Sequence, residues 1–188
     1  MIQQDIRNNS AWNQRWFVSH RGRSGRSLSR DDARREADFA IDRGARLDPY
    51  NESPWRYLIG ILREQQQGIV RSSEHHEQHQ QAQQQLQNED ASQGRLMESM
   101  LVEYEVRANA LRSVLTKAHR DPDTCVNMAS ARIDLLEMIG THESLQTAIV
   151  LVEGLATTHD VVRTKYWSLV ARRLRKKEQQ KSASVANR

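Results

Sequence analysis

The residues able to do chemistry are few and scattered. In the string "EHHEQHQ", His75 and His79 stand four apart, so a helix would put both imidazoles on one face, where they could hold zinc. The run His76-Glu77-Gln78-His79 is one residue short of the metalloprotease spacing, and no acidic third ligand accompanies it. A metal site is therefore not expected. Cys125 is the only cysteine, so it can form neither an internal disulfide nor a cysteine-based zinc site, and its apolar neighbours make it a buried thiol. Asp31 and Asp32 are adjacent carboxylates, but they follow Ser29-Arg30 at a helix start, where acids complement the macrodipole. A glycine-rich phosphate loop and a local Ser-His-Asp arrangement are both missing. No catalytic group is expected in the chain.

The elements that would position any site read as helical. Three prolines and eight glycines punctuate 188 residues, and alternating β-branched runs are absent. Apolar positions recur at helical spacing in Trp55, Leu58, Ile59 and Leu62, in Met97, Met100, Leu101 and Tyr104, in Met128, Ile133, Leu135 and Leu136, and in Tyr166, Trp167, Val170 and Leu174. Ser53-Pro54 reads as a helix cap and first position, Gly140 as a C-terminal cap, and Asp121-Pro122-Asp123 as a turn before a new helix. Between Glu64 and Gly94 there are eleven glutamines and almost no large apolar residue, so this stretch reads as an inserted low-complexity loop or a loosely helical excursion.

Charge is distributed unevenly. The net +4 resides in the segment 172–188, which holds seven Lys/Arg and one acid; the remainder carries a net charge of -2. A second basic stretch, Arg15, Arg21, Arg23, Arg26, Arg30, Arg34 and Arg35, is interleaved with Ser and Gly and reads as a solvated surface rather than a nucleic-acid site. Mean hydropathy is -0.81, and no apolar run approaches the roughly 18 residues of a membrane span, so membrane insertion is excluded. The polar start, Met1 to Asn9, lacks the pattern of a secretory signal, which points to a cytoplasmic location.

The strongest internal signal is a repeat. Asp5, Asn8, Ser10 and Trp12 recur as Asp48, Asn51, Ser53 and Trp55, all shifted by 43 positions. That period fits two helices and two turns, the unit of an α-solenoid. The Asx side chain is expected to hold the turn, Ser10 and Ser53 to cap the next helix, and Trp12 and Trp55, at the second helical position, to fill the space between neighbouring pairs. Tyr166 and Trp167 are expected in the same kind of core.

The strings "DIRNNSAWNQRWF" at 5–17 and "NESPWRYLIGIL" at 51–62 resemble the fourth and fifth repeats of the α subunit shared by protein farnesyltransferase and type I protein geranylgeranyltransferase, and "HDVVRTKYWSLVARRL" at 159–174 resembles its last helix. The resemblance covers the chain apart from the Gln-rich stretch. It implies an all-α, crescent-shaped superhelix of antiparallel helix pairs whose N-terminal repeats are missing. Two repeats would occupy 1–63, the insert 64–94, further helical repeats 95–175 and a basic disordered tail 176–188. In the family this crescent wraps a β subunit that holds zinc, and magnesium, with most of the isoprenoid and peptide pockets, and the enzyme prenylates the cysteine of C-terminal CaaX substrates.

Carried over position by position, the resemblance puts Asn8, with Arg7, near the active-site mouth. It puts Asn9, Asn13 and Arg15 beside the β subunit, and Asn51, Glu52, Arg56 and Tyr57 one repeat later. Arg15 and Arg56 have a competing role as hydrogen bonds between helix pairs. The family's lysine and tyrosine near the diphosphate lie in a repeat that precedes this sequence, so the chain by itself is expected to bind no cofactor and to transfer no prenyl group. The alternative function is a non-catalytic helical-repeat module that binds another protein.

Overall fold

The structure is a computed structural model that describes residues 2, 4–21, 27–76, 83–118 and 120–186. It is all-α, with α1 (Asn9–His20), α2 (Arg30–Ala40), α3 (Glu52–His76), α4 (Gln83–Lys117), α5 (Val126–Ile139), α6 (His142–Gly154) and α7 (Thr164–Ala186), and no strand among the described residues. α3 packs on α2 and α1, and α6 on α5 and α7, which is consistent with an α-α superhelix.

Local chemistry sets the boundaries. Ser29 caps α2 by accepting from the Asp32 N–H at 3.2 Å, and Thr141 caps α6 by accepting from Ser144 N–H at 3.1 Å. α5 ends on Gly140 at φ 66°, the left-handed conformation that the sequence assigned to it. α2 and α6 each run into a π turn, Ile41–Ala45 and Leu155–His159, closed by the bonds Arg46 N–H to Ile41 O at 2.9 Å and Asp160 N–H to Leu155 O at 2.8 Å. The Gln-rich stretch lengthens two helices. Its Gln and Glu residues are good helix formers, α3 continues to His76, and Gln65 Nε2 donates to Leu28 O at 2.9 Å. His79 and the side chain of His75 lie outside the described residues, as do Arg23 and Arg26 of the basic stretch.

The chain divides into two compact units, Met1–Glu103 and Tyr104–Arg188. In unit 1, α3 packs on α2 and α1, burying Trp12, Ala33, Ala37, Trp55, Leu58 and Leu62. In unit 2, α6 packs between α5 and α7 around Ile133, Leu136, Leu145, Ile149, Trp167 and Leu174. Cys125 is buried in this unit and forms no disulfide among the described residues.

Residues 176–186, where the sequence suggested a disordered tail, carry the C-terminal part of α7. The reason is ionic: Glu137 of α5 accepts from Arg173 at 2.6 Å and from Lys177 at 2.7 Å, and Gln146 of α6 donates to Glu178 at 2.7 Å. Burial pushes the Glu137 carboxyl up, but the hydrogen bonds from Lys177 and Arg173 outweigh it and hold the group below the usual carboxylate range. A depressed folded-state pKa contributes stability above the unfolded value and loses it as pH falls through the folded one. Acidifying from neutrality to below the ordinary carboxylate range should therefore loosen α7. With Arg173 and Lys177 both about half exposed, Glu137→Gln should cost about 1 kcal/mol at neutral pH and flatten that part of the acid dependence in thermal melts.

Candidate functional site

The matched residues of the repeat build the same turn twice. Asp5 Oδ1 accepts from the Arg7 N–H at 3.0 Å, and Asp48 Oδ1 accepts from the Tyr50 N–H at 3.2 Å. The carbonyls of the same two residues accept from Asn8 N–H at 3.3 Å and Asn51 N–H at 3.1 Å. Trp12 Nε1 then donates to Ile6 O and Trp55 Nε1 to Pro49 O, each at 2.8 Å and six residues back. The Ile6 carbonyl also accepts from Asn51 Nδ2 at 2.8 Å, which ties the first turn to the second.

Asparagine caps the helices here, which corrects the reading of Ser10 and Ser53. Asn8 Oδ1 accepts from Ala11 N–H at 3.2 Å, and Asn51 Oδ1 accepts from Ser53 N–H at 3.1 Å, so both helices start before the serine. Ser10 is exposed on α1, and Ser53 Oγ instead donates to Asn9 Oδ1 at 2.7 Å across to that helix. Pro54 becomes the third residue of α3, where a missing N–H is harmless because first-turn N–H groups have no intrahelical acceptor. Trp12 and Trp55 are accordingly the fourth residues of their helices rather than the second. Asn51→Ala should cost about 1–2 kcal/mol in urea unfolding, and Ser53→Ala clearly less, since only Asn51 is the cap.

Two further turns of this kind are present: one at Asp121, where the sequence was read as a turn, and one at Asp160, which went unnoticed. Asp121 O accepts from Thr124 N–H at 3.2 Å, and Asp160 O from Arg163 N–H at 3.0 Å, the same three-residue offset as at Asp5 and Asp48. Seven residues after each aspartate stands a core side chain, Trp12, Trp55, Met128 or Trp167, at 2%, 2%, 1% and 2% exposure. The turns precede α1, α3, α5 and α7 in order. The detectable signal was the spacing from Asp to a large side chain, without the intervening Asn and Ser. Trp167 follows a local variant, since its Nε1 donates to Asp160 Oδ2 at 2.7 Å. Tyr166, expected in the core, is 52% exposed and rests edge-on against Trp167 at 4.7 Å between centroids. It lies beside the buried stripe of α7.

Five of the nine expected contact residues, Asn9, Asn13, Glu52, Arg56 and Tyr57, line one cleft of about 210 Å³ between α1 and α3, with Trp12, Trp16 and Ser53. Arg56 Nε donates to Glu52 Oε1 at 2.5 Å, and Asn13 makes no hydrogen bond among the described residues. Behind the cleft the rings interlock: Tyr57 meets Trp12 at 5.5 Å and Trp16 at 5.7 Å, both edge-on, and His20 stacks on Trp16 at 4.3 Å. His20 Nε2 lies 2.7 Å from Glu64 Oε2, closing the far end between α1 and α3.

Arg15 turns away from the cleft. Its guanidinium donates to both oxygens of Glu36, at 2.7 and 3.1 Å, and lies 3.5 Å over the Phe39 ring, so it ties α1 to the neighbouring α2. Tyr57 Oη donates to the same Glu36 at 2.6 Å. Burial first, and then this hydrogen bond, pushes its phenol well above the usual tyrosine range. It is a fixed donor and no base. Arg7 is exposed and pairs with Asp48 at 2.7 Å; with Asn8 and Asn51 it belongs to the turns at the head of the cleft. Trp16, Glu36 and Glu64 were missed by sequence reasoning, because nothing in the matched strings distinguishes them.

Chemically the cleft offers amides, one ion pair and aromatic edges. It holds no group arranged as a nucleophile or general base. Among the described residues no three His, Cys, Asp or Glu side chains converge as a metal site. Such a surface suits recognition.

No family model matches the chain. It is similar to the curated protein farnesyltransferase/geranylgeranyltransferase type-1 subunit alpha of Dictyostelium discoideum, with 26% identity over 169 residues that cover 89% of this chain and 40% of the relative. It is also similar to the subunit of the same name from Pisum sativum, with 41% identity over 66 residues that cover 35% of this chain and 19% of the relative. The chain thus spans about two fifths of the first relative's length. The resemblance read from residues 5–17, 51–62 and 159–174 holds: this is a sequence similar, over most of its length, to the C-terminal portion of such α subunits.

Proposed function

We propose that this chain works as the C-terminal part of the α subunit of a CaaX protein prenyltransferase, as scaffold and partner surface. In that enzyme a farnesyl or geranylgeranyl group passes from its diphosphate to a C-terminal cysteine thiol. What carries the reading is the similarity to two α subunits of the same name, joined to a cleft that collects Asn9, Asn13, Glu52, Arg56 and Tyr57.

Each residue does a definable job in this reading. The Asp turns and Asn caps fix where α1 and α3 start, the tryptophans hold the helices apart, and Glu36 locks Arg15 and Tyr57 behind the surface. Asn13 and the Glu52–Arg56 pair then face a β subunit as polar contacts on a rigid base. Zinc and magnesium belong to that partner; coordinated zinc keeps a substrate thiol deprotonated. The chain's own contribution is position, so purified alone it transfers no prenyl group to a CaaX peptide.

The test is co-expression with a prenyltransferase β subunit and measurement of the complex, with Asn13→Arg as the variant that blocks the cleft. Asn13 is exposed and makes no hydrogen bond among the described residues, so the change should weaken the complex and leave the fold intact.

A further inference from the structure

In unit 1, Glu103 of α4 meets Arg34 of α2 at 2.6 Å, and Met97, Met100 and Leu101 of α4 are buried. In unit 2 a groove of about 510 Å³ runs along α6 and α7. Its floor is Val152 of α6 and Ala156 of the π turn that follows it, with Trp167 and Ala171 of α7. Arg175 on its rim is paired with Glu153. Arg172 and Lys176, also on the rim, are exposed and make no ion pair among the described residues.

We propose that this groove docks an acidic amphipathic helix from another polypeptide. The apolar floor takes alternate turns of such a helix at i, i+3 and i+4 spacing. The two uncompensated cations select carboxylates along its edge and disfavour a basic or wholly apolar segment. Concavity favours a helix over an anionic membrane, which needs a flat or convex apolar face. Glu103 of α4 on Arg34 of α2 is an instance within this chain of an acid of one helix meeting a base of another. The inference stands on the groove's apolar floor and its rim charges and not on the prenyltransferase reading.

The probe is a blocked peptide of about 18 residues built from Leu, Ala and Glu with one leucine face, long enough to be helical in isolation, titrated against the full chain by fluorescence anisotropy. Its counterpart carries Lys at every Glu position. Saturable binding of the Glu peptide is expected, with none of the Lys peptide. Arg172→Glu combined with Lys176→Glu should weaken binding about tenfold or more, and Ser168→Trp, which fills the groove from an exposed position, should do the same. Circular dichroism of each variant checks that the helices persist. The proposal is overturned by absent binding, which would make the rim the polar cap of a repeat array, or by equal binding of the Lys peptide. It is equally overturned by Glu-peptide binding that both variants leave unchanged, or by charge-dependent attachment to phosphatidylserine vesicles without peptide binding.

Discussion

Trp55→Ala should cost unit 1 about 3–5 kcal/mol, much of the stability of a domain this size. The ring is fully enclosed, and its Nε1 satisfies the Pro49 carbonyl at 2.8 Å. Truncation leaves both a cavity and an unsatisfied acceptor in the turn that orders α3. Tyr166→Ala is the matching control: its ring is 52% exposed, so the loss should stay within about 1 kcal/mol. Urea unfolding followed by circular dichroism measures both. Similar costs for the two would contradict the assignment of one ring to the core and the other to the surface.

Gly44→Ala is expected to destabilise by about 1–3 kcal/mol, a large effect for one methyl group. A Cβ there would stand 2.5 Å from Pro54 Cβ and 2.8 Å from Trp12 Cη2, both parts of rigid rings. Neither can yield without moving α1 or α3, so the walls of the cleft would shift with the fold. Gly154→Ala provides the contrast, because a Cβ there meets nothing within 4 Å. That helical position should gain up to about 1 kcal/mol from Ala over Gly. Opposite signs at the two glycines, read from thermal melts, are the expected result.

Much of this was legible because repeats advertise themselves. The four identities shifted by 43 positions correspond to two copies of one hydrogen-bonded turn, and the helical spacing of apolar residues located the cores. Cap identity was not legible, since Asn and Ser both cap well and sit two residues apart; the structure selects Asn, and the serine of the second copy bonds across to α1 instead. The repeat was not traced to Asp121, although a turn was read there, nor to Asp160, because Asn and Ser are replaced at both and only the aspartate and the buried side chain persist. Glu36 was invisible for a different reason. Its importance comes from Arg15 and Tyr57 reaching it from two other helices, a tertiary convergence that no local pattern encodes. The Gln-rich stretch was read as too polar to pack. Its helix-forming composition is enough to extend α3 and α4 without a large apolar face.

The proposed role turns on whether the α1–α3 cleft meets a β subunit. The most direct measurement is co-expression of tagged chain with a prenyltransferase β subunit, followed by affinity purification and sizing of the eluate. An equimolar complex that is lost or strongly weakened by Asn13→Arg, while the chain alone transfers no farnesyl group to a CaaX peptide, is the expected result. A chain that elutes without the β subunit, a complex indifferent to Asn13→Arg, or farnesylation by the chain alone would contradict it.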